Sequence, residues 1–396
     1  MLHKNRLYTP GPTQLLPSAQ FAMAAATMHH RTADFRDLYV RTLADLKSFI
    51  GTRNDVILMA CSGSGAMEAS ISNLTSPGDR VLVLTAGKFG ERWSSLAKAY
   101  GVKAEVVSAP YGETFTLEAV RAKLDGVRVV YMQGTETSTG VRHDVQGVAK
   151  LLKGTDTLLV VDAITGLGTT HFDVDGWGVD VLIGGSQKAV MIPPGLAYLS
   201  VSERAWQRMD STSNPRFYFD LRKERKSAAK GESAYTPATS LIAGLGAALD
   251  FIRGMGNGDL AAGRYDLVEN AETAAAMTRA AAEALGLQLF AKSSPAAAVT
   301  AIHAPEGVDS GAIVKAFRTQ FGAVIANGQG DEMKGKIFRV AHLGYYDYLD
   351  TIAIIGALEH VLATVSKTTH SELGPGLRAA QTTYARRVTF AAAAAV

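Results

Sequence analysis

Between residues 55 and 200 the chain alternates short apolar runs with longer amphipathic segments, and no other feature limits its fold as much. The runs are "DVILMA", "DRVLVLTA", "AEVVSA", "VRVVYMQG", "TLLVVDAI", "VDVLIGG" and "LAYLSV". Each is short and rich in β-branched residues, as strands are, whereas the segments 89–100, 116–124 and 144–153 carry helical spacing. Strands that are apolar along their whole length must be covered on both faces. The pattern therefore predicts an α/β fold with a mostly parallel seven-stranded sheet flanked by helices, in a large domain over residues 17–255. Ligands on such sheets bind beyond the carboxyl ends of the strands. Ser62, Thr137, Asp162 and Lys188 all fall at or just after such ends.

The rest of the chain reads differently. Residues 202–235, including "NPRFYFDLRKERKSAAKGES", are polar and basic with little periodicity, which predicts a surface excursion. A helix is expected at about 238–254. After "RGMGNGD" come a long Ala-rich helix at about 259–286, strands in "AAAVTAIHA" and "GKIFRVAHLG", and helices at 309–319 and 347–365. These make a smaller C-terminal α+β domain over 256–380. Residues 1–16 form an N-terminal segment, and 381–396, ending "AAAAAV", a low-complexity tail.

Composition narrows the partners. Forty basic and thirty-seven acidic residues leave a net charge of +3, dispersed along the chain, which argues against nucleic acid or an anionic membrane. No stretch approaches the ~18 uncharged apolar residues of a membrane span. The start "MLHKNRLYTPGPTQLLP" lacks the apolar core of a secretory signal, so a cytoplasmic location is expected. One cysteine, Cys61, excludes an internal disulfide framework and any cysteine-clustered metal site, and no metal is expected. Small molecules are the expected partners.

Three motifs carry chemistry. "ILMACSGSGAMEASISNL" runs strand, glycine-rich turn, helix, so Ser62, Gly63 and Ser64 can bring backbone amides and a helix N-terminus to a phosphate. A plain tight turn is the simpler reading. A dinucleotide site lacks its third glycine and its acidic residue, and the Walker-type lysine is missing, so a monophosphate fits better. Asp162 ends the run "TLLVV", where a buried carboxylate needs a cationic or hydrogen-bonding partner; an N-cap or loop acid is the alternative. Lys188 sits among small and apolar residues in "IGGSQKAVMIPPG". Such surroundings lower an ammonium pKa and make the amine a nucleophile and base, whereas a surface lysine would only snorkel. Together, a phosphate cradle, an acid at a strand end and a desolvated lysine are the protein's parts for binding pyridoxal 5′-phosphate.

The motifs "SGSGAMEA", "GKFGERW", "ETSTGV", "VVDAITGLG" and "GGSQKA", in this order, with "YTPGPT" at 8–13, "HHRTADF" at 29–35 and "FRVAHLG" at 338–344, carry a resemblance over nearly the whole chain. The sequence resembles the class V aminotransferases of fold type I, within them the alanine–glyoxylate and serine–glyoxylate (serine–pyruvate) group. Related sequences also bear the label of a soluble-hydrogenase small subunit, which a lone cysteine does not support.

The resemblance implies that Lys188 carries the cofactor aldehyde, Asp162 pairs with the pyridine nitrogen and Thr137 reaches the ring's phenolic oxygen. It implies that Ser62, Gly63, Ser64 and Gln187 hold the phosphate, with Phe89 stacked on the ring. It further implies a homodimer with shared active sites, Tyr235 and Thr236 of "ESAYTPATS" reaching across the interface. Arg339 matches the arginine that grips the substrate α-carboxylate, and Gly11 lies in a loop over the active site. His30 and Arg31 resemble the pair that phosphoserine aminotransferases use for the substrate phosphate, and are substrate-side candidates. The implied activity is transamination between a small L-amino acid, alanine or serine, and glyoxylate or pyruvate, by a ping-pong cycle. Phosphoserine:2-oxoglutarate transamination and a non-catalytic binding protein of this fold are the alternatives.

Overall fold

The seven apolar runs form the seven strands of one sheet in the computed structural model, which describes residues 4–25, 28–366 and 372–394. The strands are β1 (Asp55–Met59), β2 (Arg80–Thr85), β3 (Lys103–Ser108), β4 (Val129–Gln133), β5 (Leu158–Asp162), β6 (Val181–Gly185) and β7 (Ala197–Val201). Their spatial order is β1-β7-β6-β5-β4-β2-β3. Only β7 runs antiparallel to its neighbours, β1 and β6, and the other pairs are parallel. Successive side chains explain the unbroken apolar runs. Leu82 and Leu84 enter the core on one face of β2, while Val81 and Val83 enter a second core on the other. Each such fully buried side chain contributes roughly 1.5–3 kcal/mol.

The carboxyl ends of β1, β2, β4, β5 and β6 share one edge. Each leads into a loop or helix that carries site residues: Ser62 after β1, Phe89 after β2, Thr137 after β4, Asp162 ending β5 and Lys188 after β6.

Two stretches differ from the sequence reading. The segment 202–235 holds two helices, Glu203–Asp210 and Leu221–Ala228. Their start signals are ordinary N-caps: the Ser202 side chain accepts from the Ala205 amide, and Asp220 accepts from the Arg222 and Lys223 amides. Their buried faces are narrow, Ala205, Trp206 and Met209 in the first and Leu221 with Glu224 in the second, and the many charged residues around them mask the apolar stripe. The tail is also not separate. A helix, Pro375–Ala394, runs through position 381 and packs along helix Leu260–Ala284, as the high helix propensity of alanine favours. Tyr384 meets Tyr348 at 4.2 Å between ring centroids, and Arg387 donates to Thr273.

The second, smaller sheet is antiparallel, with Ile337–Ala341 between Val299–His303 and Ala326–Asn327. Helix Tyr348–Val365 packs on this unit. It is long and apolar enough to cross a membrane by composition, with a mean hydropathy of 1.4. However, Ile354, Ile355, Leu358, Val361 and Leu362 are core residues, and its Asp350 and Glu359 accept hydrogen bonds from Tyr8 and from the Gly374, Gly376 and Leu377 amides.

The N-terminal strap joins the two units. Arg6–Leu7 pairs with Ala323–Val324, the Ala341 amide donates to the Tyr8 carbonyl at 3.1 Å, and the Thr13 and Leu16 amides donate to Gln187 and Met191 carbonyls.

Candidate active site

Lys188 is buried at 8% exposure, directly after β6, in a tight turn in which the Met191 amide donates to its carbonyl. Its Nζ donates to the Pro10 carbonyl of the strap, and a methyl group at Gly11 would collide with that same amine. Gly11 has φ 143°, where side chains are disfavoured, so glycine serves both the backbone and the close approach. Burial lowers the Lys188 pKa to about 8, partly opposed by Asp162 and reinforced by Arg339. The amine is therefore much closer to neutrality than a surface lysine.

Asp162, at 7% exposure, accepts one hydrogen bond, from the Ile164 amide at 3.0 Å. Burial pushes its pKa up to about 6, and the charge of Glu136 adds to this, while Lys188 and Arg92 act in the other direction. Thr137 shares a 2.7 Å hydrogen bond with Thr165 across the β4 and β5 loops.

Both residues belong to a cavity of about 180 Å³, which also holds Ser62, Gly63, Ser64, Phe89, Gln187 and Gly11. Ser62 precedes helix Gly63–Leu74, and its hydroxyl makes no capping bond, so the helix amides stay available. A Cβ on Gly63 would strike Ile164, so the turn has no room for a side chain. The buried Gln187 Oε1 and Thr135 Oγ1 have no partner. Unfinished hydrogen bonds in a polar cavity mark a place for a ligand. A phosphate at the helix end, a ring nitrogen at Asp162 and an aldehyde at Lys188 fit this donor set.

Arg339 is buried at 3% exposure on the central strand of the smaller sheet. Its guanidinium donates to backbone carbonyls only, to Thr137 at 2.9 Å and to Asn327 at 2.7 and 3.2 Å. Among the described residues no carboxylate lies within ion-pair distance of it. Burial lowers its pKa to about 10, partly opposed by the charge of Glu136.

Three residues outside the sequence reading complete the site. Glu136 is a buried carboxylate that accepts from the Phe89, Gly90 and Ser138 amides and the Ser138 hydroxyl, and so holds the start of helix Lys88–Ala99 against the β4 loop. Arg92 lines the cavity, donates to Ser64 Oγ at 2.9 Å and lies 5.1 Å from the Phe89 ring centroid. Its signal was present in "GKFGERW", where Phe89 and Arg92 are three apart on one helix face. Thr135 is the third.

Four expected residues lie elsewhere. His30 stacks on His29, Arg31 is exposed 4.0 Å from Glu232, and neither lines the cavity of its own chain. The chain turns at 30–32 into helix Ala33–Ile50, which keeps the pair on the surface of its own chain. Tyr235 stacks on Tyr218 at 4.9 Å and donates to the Phe217 carbonyl, with Thr236 exposed beside it.

The family model for class V aminotransferases matches residues 17–330. The chain is 39% identical over 387 residues to the soluble hydrogenase, small subunit, of Synechococcus sp., covering 96% of this chain and 98% of the relative. It is 33% identical to L-aspartate–glyoxylate aminotransferase of Paracoccus denitrificans, over 99% of each chain. It is 32% identical to serine–glyoxylate aminotransferase of Hyphomicrobium methylovorum, over 98% and 96%. Among solved structures, an aspartate aminotransferase of subgroup IV from Thermus thermophilus superposes with a TM-score of 0.84 at 34% identity, over 91% of this chain and all of that one. Among the described residues no group of three or more His, Cys, Asp or Glu could hold a metal ion.

Proposed function

We propose, from the premise that this chain belongs to the class V aminotransferases, that it uses pyridoxal 5′-phosphate to move an amino group from alanine or serine to glyoxylate or pyruvate in two half-reactions. One observation carries the substrate class: Arg339 is a buried guanidinium with no carboxylate partner, bonded to the same Thr137 that lines the cavity. A planar fork in that state binds a carboxylate in two-point fashion, as amino and oxo acids share.

When bound, the cofactor supplies an aldehyde that takes the amino group and a ring that stabilises negative charge at the substrate Cα. Lys188 would hold the aldehyde, and Asp162 would keep a proton on the ring nitrogen. Ser62, Gly63, Ser64 and Gln187 would hold the phosphate. Thr137 would meet the phenolic oxygen and Phe89 the ring face. The Lys188 amine would move the Cα proton, a role suited to an amine that burial brings close to neutrality. Arg339 fixes the carboxylate, and with it the Cα–H bond that faces the amine.

Phe217, 77% exposed, and Tyr218, 42% exposed, form with Tyr235 an apolar surface outside the chain's own cavity, which supports a homodimer that shares its sites. Balanced charge and a single thiol support a cytoplasmic location. A donor-by-acceptor panel of half-reactions, read by the cofactor's visible absorbance, tests the reading. Turnover with alanine or serine and glyoxylate is expected; a preference for O-phosphoserine by orders of magnitude would overturn it.

A further inference from the structure

Among the described residues Arg92 and Lys188 are the cationic side chains that line the cavity. With Lys188 assigned to the aldehyde, a phosphate monoester at the Ser62–Ser64 turn would meet one other cation in this chain. Arg92 is half-buried and makes no ion pair within 4.0 Å among the described residues, so its charge is uncommitted. One of its five N–H groups donates to Ser64 Oγ, at 2.9 Å. A guanidinium only donates, so the Ser64 oxygen must accept, and its own proton is left to point elsewhere. Ser64 is in the first turn of helix Gly63–Leu74, which carries no acidic residue there.

Resting on the cofactor reading above, we propose that Arg92 is the phosphate-recruiting cation of this site, acting by its own charge and by fixing Ser64 as a donor to the phosphate. The rival is that Arg92 merely packs against Phe89, 5.1 Å from the ring centroid.

Calorimetric titration of the apoprotein separates the two, with pyridoxal 5′-phosphate, unphosphorylated pyridoxal and inorganic phosphate as probes. Arg92→Gln is expected to weaken the two phosphate-bearing probes roughly ten- to a hundredfold and to leave pyridoxal within about twofold. Arg92→Lys restores part of the loss, because a lysine returns the charge without the fork. An unchanged thermal midpoint of Arg92→Gln in phosphate-free buffer shows that the fold is intact. Equal loss for pyridoxal and its phosphate, or unchanged inorganic phosphate binding, overturns the proposal. Cofactor-loaded protein titrated with O-phosphoserine distinguishes the source of the phosphate: an affinity that depends on Arg92 would assign it to substrate and overturn the cofactor role. If the unaltered protein takes inorganic phosphate through Arg92 but binds no pyridoxal 5′-phosphate, the functional reading fails while the phosphate site stands.

Discussion

The two edges of the large sheet each hold a buried aspartate, and the two are finished differently. At the amino edge Asp180, 2% exposed, accepts from the Leu159 amide at 3.0 Å and the Ser202 hydroxyl at 2.8 Å, with Arg204 3.9 Å away. At the carboxyl edge, among the described residues, the Asp162 carboxylate accepts from the Ile164 amide alone, and its neighbours Gln187 and Thr135 have polar atoms with no partner. Burial raises both carboxyl pKa values. Partner count, not burial, therefore separates a stitched structural acid from one that waits for a ligand.

The largest effect that would sharpen this contrast is on Lys188. Lys188→Ala should cut half-reaction rates by roughly 10²–10⁴-fold or more, while the thermal midpoint of the apoprotein does not fall. A stability loss that matched the activity loss would make the carboxyl edge structural too. Next come the aspartates themselves. Asp162→Asn should lower kcat by roughly 10²–10³-fold with little change in unfolding free energy, whereas Asp180→Asn should cost about 1–3 kcal/mol in denaturant unfolding and keep its turnover with saturating cofactor. The reverse pattern would break the comparison. Arg339→Lys follows, with KM for the amino donor raised roughly ten- to a hundredfold and kcat changed less, since an ammonium cannot replace the two-point fork. Equal falls in kcat and kcat/KM would instead place Arg339 in the proton-transfer step.

The smallest effect is on the pH dependence of the apoprotein. Lys188 falls from its ordinary 10.5 to about 8, so the fold disfavours its charged form. That penalty is absent above about pH 10.5, grows as the pH falls toward 8 and is full below it. Asp162 rises from 3.8 to about 6, so its ionised form is disfavoured, with no penalty below pH 3.8 and a full one above 6. Between about pH 6 and 8 the site carries both penalties. Lys188→Met should therefore stabilise the apoprotein by roughly 3–4 kcal/mol at pH 7 and by little at pH 10.5 or above, at about 1.4 kcal/mol per pKa unit. The same gain at both pH values would assign it to packing.

The stitched parts of the molecule were the legible ones. All seven strands of the large sheet could be placed because burial on both faces leaves an unbroken apolar signal, and the α/β architecture followed. Helix Ala33–Ile50 carries a readable stripe of Phe35, Tyr39, Leu46 and Phe49 that the sequence reading left unused. The helices of 202–235 are dominated by charged residues that read as a solvated excursion, although their narrow apolar faces and the caps Ser202 and Asp220 announce them. In the cavity, Lys188, Asp162 and the Ser62–Ser64 turn stand out because small and apolar neighbours make polar residues conspicuous. Glu136 and Arg92 do not, because their partners are backbone amides and a serine hydroxyl that the fold supplies from other segments. His30 and Arg31 show the converse: a motif says which residues occur together, and not which cavity they face.

The N-terminal strap has a mechanical consequence. The Arg339 strand holds the strap through Ala341 and Tyr8, and two residues further on Pro10 accepts from the Lys188 amine. The group that would grip a carboxylate and the amine that would act beside it are thus tied to one short stretch of backbone, Tyr8 to Pro10. Sliding the smaller sheet over the larger one would strain or slacken that stretch, so the strap couples the position of the Arg339 strand to that of the Lys188 amine.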